Sequence, residues 1–417
     1  MNNSDQQDGG HRPGAEDRAR RHGVRRWLVG LRWWGRGTMA LLVALEGCSL
    51  AATTGCARAA HPAHWSRLWT HYRRGFIAPE GRVIDWSDGQ VTTSEGQSYA
   101  LFFALVANNP KLFAKILSWT QANLAQGSLV RHLPAWRWGK QPDGGWGILD
   151  HNSAADADLW LAYTLIQAGR LWHHPAYTAM GRLLAGRIAR EEVVNVPGLG
   201  PMLLPGKRGF ELAGGTDVFN PSYLPLPVVT ALAHTLPRGP WAAIAHGLPG
   251  FLRAVSPHGF TPDWIAYTPG QGYHVAPQGP MGSYNAIRVY LWAGLTNPET
   301  PGARRILRDV SGMAHYLHSH LLPPVSVDAT TGVAEAQGPV GFSAALIPYL
   351  LRSGQNAAVR NQGLRLRADY HKSQGLYGKP AHYYDQNLAL FALGSVTGTI
   401  RFTPDGALRT RWAHGRR

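Results

Sequence analysis

Thr92-Thr93-Ser94-Glu95-Gly96-Gln97-Ser98-Tyr99 runs straight into the apolar residues 100–107, and the class of fold is decided at this junction. Small polar residues ahead of an apolar run mark a helix start, where the dipole and free N–H groups favour a carboxylate. Working outward, residues 112–124, 159–171, 177–190, 228–236, 241–255, 286–295, 303–322, 342–351 and 386–393 also place apolar side chains at helical spacing rather than in strict alternation. The pattern predicts about ten helices and no strong hairpin series. The links 128–151, 194–227 and 260–283 exceed ordinary packing connections and are where binding surfaces usually lie. No fixed-length repeat is present, so a solenoid is unsupported, whereas paired helices closing into a ring suit both count and spacing. Periodicity by itself stops at an all-α class.

A second acidic cluster, His151-Asn152-Ser153-Ala154-Ala155-Asp156-Ala157-Asp158-Leu159-Trp160, heads another of these helices. Each cluster read alone is better explained by capping than by chemistry. Two acid clusters at helix starts point toward hydrolysis of a sugar chain, which needs a pair of carboxyl groups.

At 417 residues, with 44% hydrophobic and 16% charged content, the chain can bury one large core, and a single helical domain over residues 61–417 is expected. The formal charge of +16 raises nucleic acid as a partner, but no zinc-finger, helix-turn-helix or RNA-recognition signature is present and the basic residues are scattered. Residues 1–60 read as an export segment, with paired arginines Arg25 and Arg26, the apolar stretch 39–45, and small residues ending Ala57-Arg58-Ala59-Ala60. That predicts a periplasmic or secreted protein without stable membrane insertion after processing, since the apolar run is short for a membrane span. The route, twin-arginine or ordinary, stays open. Both cysteines, Cys48 and Cys56, fall in this segment, so the remaining chain has no disulfide or thiol nucleophile; Cys56 after Thr53-Thr54-Gly55 forms a weak lipoprotein-like box. The histidines are spread without metal-ligand spacing, and neither a phosphate-binding loop nor a Gly-x-Ser-x-Gly elbow occurs. Chemistry with no cofactor and no metal remains.

Several ordered motifs carry a family likeness. They are Gly81-Arg82-Val83-Ile84-Asp85, the Thr93–Tyr99 stretch, Leu133-Pro134-Ala135-Trp136, Asn195-Val196-Pro197-Gly198-Leu199-Gly200, Phe219-Asn220-Pro221-Ser222-Tyr223-Leu224-Pro225 and Gly338-Pro339-Val340-Gly341-Phe342-Ser343. From about residue 65 to about residue 402 the chain resembles glycoside hydrolase family 8, and within it the endoglucanases that accompany bacterial cellulose synthase. The resemblance implies an (α/α)6 toroid barrel and inverting hydrolysis of a β-1,4-glucan chain such as cellulose. It further implies trimming during cellulose synthesis, with the cellulose synthase export complex as a partner.

By the same likeness Glu95 is the proton donor and Asp156, first aspartate of an Asp-Gly-Asp element written here Asp156-Ala157-Asp158, orients the sugar at the cleavage point. Asp158 reads equally as a structural cap or helix–helix acceptor. The main departure lies at Gly282-Ser283-Tyr284-Asn285-Ala286-Ile287-Arg288: related endoglucanases carry Asp where this chain has Asn285, and that aspartate is taken to activate water. An amide keeps size and hydrogen bonding but cannot accept the proton. Three accounts stay open: a slow or inactive enzyme that still binds glucan, a base supplied by another carboxylate such as Asp217 or Asp156, or a substitution that traps substrate. Some family members with asparagine here, chitosan-cleaving ones included, take their base from elsewhere. Trp136, Trp138 and Trp146 offer flat faces for pyranose rings, and Tyr223, Tyr284 and Arg288 could bind hydroxyls or hold a carboxylate. Trp119, Trp160 and Trp292 fall within apolar helices and read as core. The strongest rival reading is a catalytically impaired glucan-binding component of the export machinery; a chitosanase is a weaker one, because a cationic substrate would favour an acidic cleft.

Overall fold

The computed structural model describes residues 62–414, so the expectations for the export segment, Cys48 and Cys56 lie outside the described residues. Six helices are apolar nearly all round: α2 (Ser94–Val106), α4 (Ala155–Leu171), α6 (Leu226–Thr235), α8 (Ile287–Leu295), α11 (Val340–Arg352) and α13 (Tyr383–Val396). A helix of that kind must be covered on every side. Here each inner helix touches the next, α2 to α4, α6, α8, α11, α13 and back to α2, closing a ring.

Outside it lie amphipathic partners. These are α3 (Pro110–Leu124) against α2, α5 (Pro175–Glu191) against α4, α7 (Trp241–Val255) against α6, the short α9 (Ala303–Asp309) against α8, and α12 (Asn356–Ala368) against α11. The first described helix, α1 (Pro62–Phe76), covers α13. Six inner and six outer helices make the (α/α)6 barrel, with α10 (Gly312–Ser319) as an addition. Among the described residues no helix is long and apolar enough to cross a membrane.

Aromatic rings fill the middle of the toroid. Trp160 of α4 meets Phe102 of α2 at 4.9 Å between centroids, Phe391 of α13 at 5.2 Å and Trp292 of α8 at 5.3 Å, and Tyr99 of α2 stands edge-on to Phe391 at 5.1 Å. Edge-to-face packing of this kind adds to the burial of large apolar area. Trp119, Trp160 and Trp292 are buried, as their apolar helices predict.

Three features depart from the sequence reading. Helices α1 and α12 were not anticipated; α12 is rich in arginine and polar side chains and buries only Ala358, Val359, Gln362 and Leu366, too sparse a stripe to stand out. The expected helix 303–322 is broken into α9 and α10, because Gly312 N–H bonds to Gly259 O at 3.0 Å and the two backbones touch there. The long links contain strands, contrary to the absence of hairpins read from sequence. β1 (Thr92–Thr93), β2 (Arg137–Lys140) and β3 (Trp146–Asp150) form one antiparallel sheet, and β4 (Val193–Val196) pairs with β5 (Gly200–Leu203). A four-stranded sheet runs through β6 (Glu211–Leu212), β7 (Thr216–Phe219), β8 (Ile265–Thr268) and β9 (Gly272–Val275), and β10 (Met281–Gly282) belongs to a further three-stranded sheet. Strands of two to five residues hold too few alternations for a period of two to register.

The α8–α11 contact depends on Gly294, where a Cβ would lie 2.3 Å from Tyr349 N and 2.5 Å from Pro348 C, both main-chain atoms. Gly294→Ala is expected to cost about 1–3 kcal/mol in denaturant unfolding. Gly247→Ala in α7, where nothing lies within 4 Å, should instead stabilise by about 0.5–1 kcal/mol.

Candidate active site

Three inner helices bring their N-termini to one mouth, and the second residue of each is charged: Glu95 on α2, Asp156 on α4 and Arg288 on α8. Local chemistry fixes each start. Thr93 caps α2 by accepting from Gly96 N–H at 3.0 Å, and Ser94 N–H bonds to Trp136 O at 2.9 Å, tying the helix to the loop ahead of β2. Ala155 N–H bonds to Pro205 O at 2.9 Å. Ahead of α8, Asp263 Oδ1 accepts backbone N–H groups from Ser283 at 2.8 Å, Asn285 at 3.1 Å and Ala286 at 2.7 Å, an acceptor shared by three otherwise orphaned donors.

Arg288 is the hub. Its Nη1 donates to Glu95 Oε2, to Asp156 Oδ2 at 2.8 Å and to Tyr99 Oη at 3.2 Å, and its Nη2 donates to Asn285 Oδ1 at 2.6 Å and Ser222 Oγ at 3.2 Å. Its guanidinium carbon lies 5.5 Å from the Tyr223 ring centroid. Side-chain exposure is 2% for Arg288 and 4% for Asp156 but 19% for Glu95, so the glutamate is the carboxyl presented to the cleft.

Two carboxyl groups therefore share one permanent cation in a nearly sealed place. Burial pushes Glu95 up to about 7; Arg288 opposes the shift and the anion of Asp156 adds to it. Burial also raises Asp156, against Arg288 and the Ala157 N–H. The arrangement suits one proton held on Glu95, with Asp156 ionised against Arg288. By linkage, the raised Glu95 contributes stability that is present below its ordinary 4.5 and lost as pH rises through about 7.

Asp158 points away from this group. It faces Glu192, just after α5; burial and then Glu192 raise Asp158, while burial pushes Glu192 up to about 8 against the restraint of its bonds to Ser153 and Asp158. Ser153 Oγ donates to Glu192 Oε1 at 2.5 Å. The electrostatic coupling of these acids links α4 to the end of α5.

Of the other residues named from sequence, Asn285, Tyr223 and Arg288 join the cluster directly. Tyr284 is half exposed against Phe342 at 5.1 Å and Tyr384 at 6.0 Å. Trp136 is half-buried beneath the Arg137 guanidinium at 5.7 Å. Trp138 is not brought to Arg288: it stacks on Trp146 at 5.3 Å, meets Trp119 edge-on at 5.2 Å and carries Arg82 at 4.5 Å. Asp217 sits on β7 opposite Glu211; its own partial burial raises it, and the charge of Glu211 adds to the shift. Sequence reading missed Asp263, Tyr99 and Tyr384; the Tyr384 hydroxyl donates to the Tyr284 carbonyl at 2.6 Å, and its charge environment includes Arg288, Glu95, Asp263 and Asp156. Tyr99 closes the Thr93–Tyr99 motif, whereas no local pattern marks Asp263 or Tyr384, although Asp263 lies in the long link 260–283.

The family model of glycosyl hydrolases family 8 matches residues 32–398. The chain belongs to this family. It is 43% identical over 379 residues to an endoglucanase of Xanthomonas axonopodis pv. citri strain 306, spanning 90% of this chain and 95% of that one. To an endoglucanase of Salmonella typhi it is 45% identical over 348 residues, 82% of this chain and 90% of the relative. Among solved structures, the endo-1,4-D-glucanase from Vibrio fischeri ES114 aligns with a TM-score of 0.78 at 41% identity, covering 83% of this chain and 99% of that one. This family 8 member is thus a glycoside hydrolase on the (α/α)6 barrel.

Arg288→Met in this glycoside hydrolase removes the only hydrogen-bonded cation of Glu95 and Asp156 among the described residues. At pH 7 the loss is expected to be about 3–5 kcal/mol in unfolding experiments. It should shrink near pH 4, where the carboxyls can take protons in the folded state, and grow as pH rises from there.

Proposed function

We propose that this glycoside hydrolase is an endo-1,4-β-glucanase that cleaves cellulose-type chains with inversion, trimming them during their synthesis and export from a periplasmic or secreted position. The observation that carries the reading is Glu95, a cleft-facing carboxyl raised to about 7 beside a paired Asp156–Arg288. Names of the relatives at 43–45% identity support the substrate class.

Protonation of the glycosidic oxygen must accompany departure of the leaving sugar, and an acid near neutrality serves best. Glu95 Oε2 is engaged by Arg288, which leaves Oε1 to carry the proton toward the cleft. The orientation is set by α2, whose interior is packed on all sides. Asp156 is held ionised and immobile by Arg288 at 2.8 Å and by the Ala157 N–H at 2.8 Å, a fixed acceptor suited to a sugar hydroxyl. Its negative charge helps keep the proton on Glu95. Tyr223 and the half-exposed Tyr284 offer further ring faces and hydroxyls at the same mouth.

Asn285 favours a second reading, a glucan binder on an enzyme's scaffold, because the amide cannot take a proton from water and its oxygen is already held by Arg288 at 2.6 Å. Reducing-end release from carboxymethyl-cellulose, with cello-oligosaccharide binding measured alongside, separates the two. For an endoglucanase, kcat/KM falls as pH rises through about 7, when Glu95 loses its proton. Glu95→Gln then lowers turnover by about 10²–10⁴-fold while binding persists. Binding without release by the unaltered chain would leave the binder.

A further inference from the structure

An inverting hydrolase needs an ionised carboxylate with a free oxygen at the mouth, and Asn285 is not one. Three carboxyl groups feel the charge of Arg288: Glu95, Asp156 and Asp263. Glu95 holds the proton to be donated. Asp156 is buried with both oxygens engaged, Oδ2 by Arg288 and Oδ1 by the Ala157 N–H. Asp217 has Glu211 as its charged neighbour. Asp263 differs from all of these. Its Oδ1 is pinned by the N–H groups of Ser283, Asn285 and Ala286, whereas its Oδ2 takes no hydrogen bond from the described residues and is not among the sealed, partnerless oxygens. It is bonded to the backbone of the very residue that replaces the expected base, and it shares the charge environment of Tyr384 with Glu95 and Asp156.

We propose that Asp263 is the general base of this chain, a role that rests on the endoglucanase reading. Because Asn285 gives its carbonyl oxygen to Arg288, its Nδ2 is left to hold the oxygen of the attacking water. In the reaction the water oxygen bonds to the anomeric carbon as the bond to the leaving oxygen breaks. The Glu95 proton passes to that leaving oxygen, and the proton from water passes to Asp263 Oδ2. Both acids regain their starting states by exchange with solvent. Burial raises Asp263 above the ordinary aspartate value while the three N–H groups and Arg288 restrain the shift, and a raised carboxylate is the better proton acceptor.

The test is a double-mutant cycle on glucan hydrolysis with Asp263→Asn and Asn285→Asp. Asparagine at 263 keeps an oxygen for the three N–H groups but cannot take the proton. Asp263→Asn alone is expected to lower kcat by about 10²–10⁴-fold with KM little changed, and to abolish the acidic limb of the pH profile. In the Asn285→Asp background, where a new carboxylate faces the water, the same change should cost only about threefold or less, the difference being the coupling between the sites. Equal losses in both backgrounds with the acidic limb intact would make Asp263 a positioning residue and overturn the proposal, as would no loss in either. If the unaltered chain binds cello-oligosaccharides but releases no reducing ends, the endoglucanase reading falls and this assignment falls with it. An active unaltered chain with an active Asp263→Asn variant sinks the base assignment alone.

Discussion

A single buried guanidinium sets the terms for the site. Arg288 holds two carboxylates, an amide oxygen, a phenol and a serine hydroxyl in one network. With two acids and one permanent cation in a place that water barely reaches, full ionisation of both acids is costly. The helix N-termini favour negative charge at positions 95 and 156, burial disfavours it, and the arginine can satisfy one of them well. Hydrogen bonding then decides between the two: Asp156, held by Arg288 on one oxygen and by the Ala157 N–H on the other, keeps the ion pair, while Glu95 keeps the proton.

The barrel makes that network possible by its construction. Inner helices converge with their N-termini on one face, and the aromatic plug of Phe102, Trp160, Trp292 and Phe391 fixes their spacing beneath the charged residues. Tyr99 joins the layers, its ring in the plug and its hydroxyl on Arg288. A change in plug packing is thus transmitted to the hub through a rigid phenol rather than through a loop.

Much of this was legible in the chain. Glu95, Asp156 and Arg288 each lie at the head of a helix inside a local motif, so the family likeness could place them residue by residue, and the ring of paired helices followed from apolar spacing and the same likeness. What was not legible came from long range. Asp263 reaches the Asn285 turn across twenty or more residues of link, and Tyr384 arrives from the last inner helix. Neither carries a pattern of its own. Trp138 illustrates the converse: a tryptophan in a Gly-bearing loop looks available, yet its neighbours Trp146, Trp119 and Arg82 occupy it.

The sixth helix pair of the toroid joins α1 to α13, and Trp65 Nε1 donates to Leu390 O at 3.0 Å across 325 residues. The ring is therefore seamed by segments from opposite ends of the described chain, and it cannot close before its last inner helix is available. Contacts of such separation carry a large loop-closure cost, which must be met before they give any gain. Tyr384, part of the surroundings of Glu95, rides on that closing helix. The acid thus has its finished environment only in the closed ring, which links its chemistry to completion of the fold.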